Sequence, residues 1–298
     1  MIKNEFKEKV EEIFNKKITK IEALTFQVTL LSFNNVKYII KKVNIKTKNI
    51  YDFLASQKVS NVMFPIKQFI FENELYFAYN FINDYDYPKE KKIYDLINVV
   101  HELHQKTGFT VRLNDSNFKY FYRIYKNLDR IFQTLEMLVR ECETSQNKSD
   151  FEWIILSKYY IFLSTKKIMY QIQKKIHKYL DNHGNVTYAL NHGNLNLNHF
   201  LQKKLVSFDN GYTGIFVSDF AKLYVSLDDI DGTWFKEIEG IINSYENDFF
   251  KMYFKFLVLY IYIINLRISS FDKHTILNTY IQIASKINHF LTLTSNYW

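Results

Sequence analysis

The chain has 298 residues, 47% hydrophobic and 18% aromatic, enough to bury a sizeable core in one large domain or two lobes and far from a disordered composition. Its formal charge of +8 comes almost wholly from lysine, spread between aspartates and glutamates, with only five arginines (Arg112, Arg123, Arg130, Arg140 and Arg267). That is a solvated surface rather than the concentrated basic stripe of a nucleic-acid binder, so no nucleic-acid partner is expected.

The N-terminal residues have no apolar signal core and predict an amphipathic helix with Phe6, Val10 and Ile13 on one face. Residues 26–33 and 36–43 read as paired strands, with Asn34-Asn35 as the hairpin turn. A helix follows over 46–57, then strands over 62–71 and 75–81 joined at Glu72-Asn73-Glu74. Beyond Pro88 the apolar spacing becomes helical, over 93–103, 118–139 and 151–180, with a polar loop at 143–150. Residues 188–225 interrupt the helices with an asparagine-rich loop and a short hairpin, before Asp219-Phe220-Ala221 opens a new helix. The most apolar stretch, 252–266, contains Lys255 and is too short to span a bilayer, so it reads as a buried helix. The single cysteine, Cys142, excludes an internal disulfide and fits a reducing compartment. These features predict a soluble, cytoplasmic α+β protein without a membrane partner. A β-rich N-lobe with a leading helix covers 1–82, and a helical C-lobe containing the loop covers 83–298, with the crossing near 82–87.

Several segments, in order, resemble the aminoglycoside-phosphotransferase and choline-kinase superfamily, whose fold is bilobal and protein-kinase-like. Tyr38-Ile39-Ile40-Lys41 resembles the strand carrying the nucleotide-binding lysine. The segment from Val99 to Thr107 resembles the helix ending in Leu-His after the hinge. The run from His192 to Leu201 resembles the catalytic loop, normally His-Gly-Asp with a metal-binding Asn five positions after the Asp. Val206-Ser207-Phe208-Asp209 resembles the segment with the second metal-binding Asp, and Asp219-Phe220-Ala221 the later Asp-Leu-Ala. Within the superfamily the loop looks most like the spore-coat (CotS-type) kinase-like proteins of endospore-forming bacteria. That branch implies a mother-cell protein assembled into a spore-coat layer.

The chemistry departs from an active enzyme at each metal or proton-handling position. Asn194 stands at the catalytic Asp, and its amide can position a hydroxyl but cannot take its proton. His199 stands at the metal-binding Asn; imidazole is a poor ligand for magnesium and suits manganese or zinc better. Ser207, neutral and weakly ligating, stands at the second Asp. Asp209 could face the same side as Ser207, since side chains in extended chain repeat every two residues. All seven glycines lie at or after Gly108, so the first hairpin cannot be a glycine-rich phosphate cradle. The helix expected to pair the lysine offers Asp52 but no glutamate.

Other readings stand beside these. Lys41 is either the nucleotide lysine or a surface lysine on an edge strand. His192 and Asp219 are loop scaffolds in the resemblance, and His199 is either packed into the loop or a ligand. His101 and His104 read as structural, and the cluster Phe118, Tyr120, Phe121, Tyr122 and Tyr125 as core. Three functions compete: a pseudokinase scaffold engaging other proteins, coat components if the branch holds; a phosphotransferase on a small hydroxyl or amine substrate with an altered metal site; and nucleotide binding without turnover. No cofactor is expected, with ATP plus Mg or Mn as the ligand if nucleotide binding is retained. The sequence leaves the oligomeric state open.

Overall fold

The computed structural model describes residues 4–34, 36–83, 87–112, 115–182, 185–227, 229, 231–268 and 272–295, without the side chains of 115–118 and 120. Two compact units result: Met1–Gly108 with Ala189–Thr213, and Phe109–Tyr188 with Gly214–Trp298. The sequence-based boundary at 82 followed secondary structure. The units follow packing instead, which assigns one long helix and the asparagine-rich loop to the β-rich unit.

The first unit opens with α1 (Asn4–Phe14), then β1 (Lys20–Ala23), β2 (Val28–Phe33), β3 (Val36–Val43), α2 (Ile45–Ser56), β4 (Lys67–Phe71), β5 (Glu74–Asn80) and α3 (Lys89–Thr107). The strands form an antiparallel sheet in the order β1-β2-β3-β5-β4. Phe33 pairs with Val36 and Phe71 with Glu74, so each hairpin closes over two residues. Asn34, Glu72 and Asn73 take the positive φ that such turns need; Asn35, and residues 84–86 of the expected crossing, lie outside the described residues. The strand expected over 62–71 begins only at Lys67, because Val62 instead makes an isolated parallel bridge to Leu205.

Period-2 alternation gives the sheet two different faces. Leu31, Phe33, Ile40 and Ala78 pack on Phe6, Val10 and Phe14 of α1, with Ile13 partly buried beside them. Burying side chains of this size is worth about 1.5–3 kcal/mol each. The opposite face presents Val28, Ile39 and Lys41 together with Phe77 and Tyr79, since Val28 and Phe77 both sit across from Lys41 and Tyr79 across from Ile39. Asn44 caps α2, accepting from the Thr47 amide at 2.8 Å. The loop segment joins this unit through β8 (Phe200–Leu201) and β9 (Lys204–Leu205), a hairpin turned at Gln202-Lys203. It is tied down where Met63 donates to Leu205 at 2.9 Å, Leu205 donates to Asn61 at 2.9 Å, and Asn61 reaches Glu102 of α3 at 2.5 Å.

The second unit is helical apart from β6 (Phe109–Arg112), which pairs with the first half of β7 (Asn185–Asn191), and the end of β10 (Tyr212–Ile215). Its helices are α4 (Asp115–Thr144), α5 (Asp150–Asn182), α6 (Val217–Ser226), α7 (Thr233–Asn243), α8 (Asp248–Ile264) and α9 (Lys273–Leu293). Helix α8 is buried over most of its length and packs on α4, α5, α6, α7 and α9. No described helix is long and apolar enough to cross a membrane. Phe121 and Tyr125 are core, as expected, whereas Tyr122 is exposed; the side chains of Phe118 and Tyr120 lie outside the description.

The one lysine buried within α8, Lys255, has its ammonium pushed down to about 8 by burial, with Lys175 adding to the shift. A base depressed in the folded state holds fewer protons than the unfolded chain between about pH 8 and the ordinary lysine value, so stability rises with pH across that window. Urea midpoints measured from about pH 8 to 9.5, below the ordinary tyrosine range, should therefore rise more steeply with pH in the parent than in Lys255→Met.

Candidate functional site

The site residues of the first unit converge on the α2-facing side of its sheet. From β3, Lys41 reaches the Ser207 hydroxyl at 3.2 Å and forms an ion pair with Asp209. The Lys41 side chain is only 12% exposed and that of Asp209 33%. Lys41 is therefore no surface lysine: its charge is answered from a segment more than 160 residues further along the chain. Asp52, the acid that the sequence offered as its partner, lies on the solvent side of α2 and pairs with Lys48 at 2.6 Å.

Helix α2 turns Thr47, Ile50, Tyr51 and Leu54 inward, the i, i+3, i+4, i+7 stripe of an amphipathic helix. Tyr51 is thus the side chain that α2 gives to the site. Its ring meets Phe208 at 5.9 Å and Phe77 at 5.6 Å. Its hydroxyl lies beside that of Tyr79 and the backbone of Ser207 and Phe208, without a well-formed hydrogen bond. Burial pushes the Tyr51 phenol up to about 12, and burial likewise raises Tyr79, with the Asp209 charge adding to both. Both phenols stay protonated. Sequence reasoning passed over them because it searched for charge; the inward stripe 47, 50, 51, 54 was the available signal.

The loop from His192 to Asp209 is held by its own side chains. His192 is fully buried, donates Nε2–H to the Val206 carbonyl at 2.7 Å, and packs its ring on Phe208 at 4.7 Å. Gly193 adopts φ +82°, and a Cβ there would sit 2.0 Å from the Asn210 carbonyl oxygen, so the loop closes only around glycine. Asn194 is exposed, and its carbonyl accepts Nδ1–H of His199 at 2.7 Å. Burial pushes the His199 imidazole below its usual value, opposed by that carbonyl; Lys41 lowers it further and Asp209 opposes. His199 is therefore neutral at physiological pH, with Nδ1 protonated and the lone pair on Nε2. Ser207 is held left-handed at φ 65°, ψ 62°, a conformation that costs about 1–3 kcal/mol outside glycine and is paid back by the fit of its neighbours, Lys41 and Phe208.

Asp219 belongs to the second unit, fully buried in the first turn of α6. Burial lowers the Lys222 ammonium one turn on, and the Asp219 charge opposes that shift. His104 is buried and His101 half-buried on α3, with burial lowering His101. Among the described residues no group of three or more His, Cys, Asp or Glu side chains is placed to hold a metal ion.

Beside Lys41 and Ser207 opens a cavity of about 230 Å³. Its walls are Val28, Ile39, Met63 and Tyr79, with Phe81, Ile82, Leu201 and Val206 completing the apolar lining. The donor set does not fit a magnesium ion, which wants several oxygen ligands with carboxylates among them. Of the four positions Asn194, His199, Ser207 and Asp209, one is a carboxylate, and it is committed to Lys41. The rest of the lining is mainly apolar, the kind of surface that aromatic rings pack against.

With this geometry in view, the resemblance to solved structures is specific in fold. An aminoglycoside phosphotransferase from Alicyclobacillus acidocaldarius superposes with a TM-score of 0.64 at 12% identity, over 94% of this chain and 92% of that one. Spectinomycin phosphotransferase in complex with ADP and spectinomycin gives 0.54 at 12% identity, over 97% and 99%. The GDP complex of aminoglycoside 2'-phosphotransferase-IIIa gives 0.52 at 12% identity, over 100% of both chains. No protein-family model and no curated protein matches the sequence. The chain has the α+β, protein-kinase-like fold of the aminoglycoside phosphotransferases, and at these identities the likeness defines the fold alone.

Gly193→Ala tests the loop directly. A Cβ against backbone at that separation forces the chain to move, so we expect a loss of about 2–4 kcal/mol by urea unfolding. Gly240→Ala, where an added Cβ meets nothing within 4 Å, should be neutral or slightly stabilising.

Proposed function

We propose that this chain is a catalytically degenerate kinase-like protein that works as a binding module, taking a nucleotide-type ring into the 230 Å³ cavity without transferring phosphate. The observation that carries this reading is the Lys41–Asp209 ion pair. It occupies the one carboxylate among the four loop positions, leaving an amide, a neutral imidazole and a hydroxyl. None of these can both hold a divalent cation and accept a hydroxyl proton. The solved neighbours with ADP and GDP support a base in the equivalent fold. A phosphate group entering beside the ring would compete with Asp209 for the Lys41 ammonium, so binding of this kind needs no metal.

The resemblance of residues 192–209 to the spore-coat branch supports a finer proposal: the module serves in assembling a coat layer, with coat proteins as partners. In an endospore-forming host, loss of the gene should then leave spores with an altered coat, and normal coats would exclude that role. The competing reading is an active phosphotransferase with an altered metal site, favoured by the approach of Ser207 and Asp209 to the same Lys41 ammonium.

Melting temperatures with ATP, ADP or GDP, with and without magnesium or manganese, separate these readings. Nucleotide at about 100 times its dissociation constant should add roughly 2.7 kcal/mol, a shift of a few degrees, equally with and without metal. Phosphate release should stay at background. Asn194→Asp with Ser207→Asp should make the shift metal-dependent. No shift under any condition would remove nucleotide from the reading and leave a ligand-free scaffold. Turnover that collapses in Asp209→Ala would establish the phosphotransferase instead.

A further inference from the structure

The outward face of α5 has a pattern that nothing in the cavity reading uses. Trp153, Tyr160 and Leu163 are 59%, 64% and 52% exposed, large apolar side chains that a folded surface does not ordinarily line up. At about 100° per residue they share one stripe, and the same stripe continues through Lys167, Lys174 and Lys178, all exposed. It runs roughly 38 Å at about 1.5 Å per residue, apolar at its N-terminal end and basic at its C-terminal end. No acidic residue occurs anywhere from Trp153 to Leu180.

The acids of neighbouring elements are engaged elsewhere, and Asp181, the carboxylate of α5 one turn beyond Lys178, makes no ion pair with the lysine row among the described residues. On α4, Glu136 is engaged by Lys166 at 2.5 Å and Asp129 by the Tyr170 hydroxyl at 2.5 Å, both in the seam between the two helices. Glu152, at the apolar end, is held by Lys273 and Ser149. No ion pair to Lys167, Lys174 or Lys178 occurs among the described residues.

We propose that this face of α5 is a docking surface for an acidic amphipathic helix of a partner protein, whose apolar side chains cover Trp153, Tyr160 and Leu163 while its carboxylates meet Lys167, Lys174 and Lys178. Exposed aromatic anchors supply contact energy, and the lysine row supplies attraction and register. The end-to-end division of the stripe selects this occupant. A helix lying on a membrane divides its apolar and basic residues around its circumference. Here both share one line along the axis, which suits an elongated partner divided in the same way. The proposal stands apart from the nucleotide reading and needs no occupant in the cavity.

The test uses the full chain and a fluorescein-labelled synthetic helical peptide matching the stripe in length. One half of one peptide face carries leucines at i, i+3 and i+7, and the other half carries glutamates. Fluorescence anisotropy should show saturable binding that weakens as salt rises. Binding should fall about tenfold in Trp153→Ser/Tyr160→Ser, and about tenfold in Lys167→Glu/Lys174→Glu/Lys178→Glu. All these side chains are exposed, so both variants should keep the parent melting temperature, and the two sets probe opposite ends independently. A peptide of the same composition with leucines and glutamates on opposite sides of its circumference should bind more weakly. Absence of saturable binding, binding that survives both variant sets, or equal binding of the rearranged peptide overturns the proposal. So does variant-sensitive binding to vesicles of phosphatidylserine and phosphatidylcholine without peptide binding, which assigns the face to a lipid surface. A monomer–dimer equilibrium abolished by the same variants, seen in sedimentation without peptide binding, assigns it to a second copy of this chain.

Discussion

A lysine ammonium brought into the interior has to be answered by an anion or lose its charge, and that requirement at Lys41 organises the first unit. Strand β3 delivers Lys41 to the sheet face opposite α1, where its side chain is 12% exposed. Asp209 answers it from the end of the long loop. For the carboxylate to arrive there, Ser207 has to turn left-handed, Phe208 has to sink against Tyr51 and His192, and Gly193 has to let the Asn210 backbone pass at close range. The loop, the helix α2 and the sheet are thus held by one charge requirement and the aromatic packing around it.

The same contact separates architecture from chemistry. The fold is that of phosphotransferases, yet a fold does not bring an activity with it; the activity lives in groups placed on the fold. Phosphoryl transfer depends almost wholly on positioning and on metal-assisted charge neutralisation. On this fold the first unit places a lysine on β3, a packed histidine beneath the loop, and an apolar cavity beside the lysine. At Ser207 and His199 the loop carries side chains that complete an internal network, through Lys41 and the Asn194 carbonyl. At His199, Nδ1 serves the loop's own Asn194 carbonyl, and burial holds the imidazole below its usual value.

Much of this was legible in the residues. Alternation of apolar side chains located three of the five sheet strands closely, and helical spacing located α2 to α5 to within a few residues. The misses share a cause. The strand over 62–71 was drawn too long because Val62 is bound by Leu205, a contact spanning more than 140 positions that no local pattern records. Asp52 was chosen for its charge, although the burial stripe of α2 runs through Tyr51 on the next position, and a step of one residue turns a helical side chain by about 100°. The Lys167, Lys174 and Lys178 row was hidden by lysine's abundance, because only the register of α5 in its bundle says which lysines face outward together.

The sequence by itself determined the local periodicities and the residue types available to the loop, and with them the α+β fold class. Those depend on spacing and chemistry within short windows. The tertiary structure alone decided which charge meets which, that Lys41 is answered by Asp209 rather than Asp52, and that Tyr51 and Tyr79 stand beside the pair. It also decided that packing, not secondary structure, groups α3 and the loop with the sheet. These outcomes come from the shared burial of segments far apart in the chain, and burial is a property of the assembled core rather than of any segment.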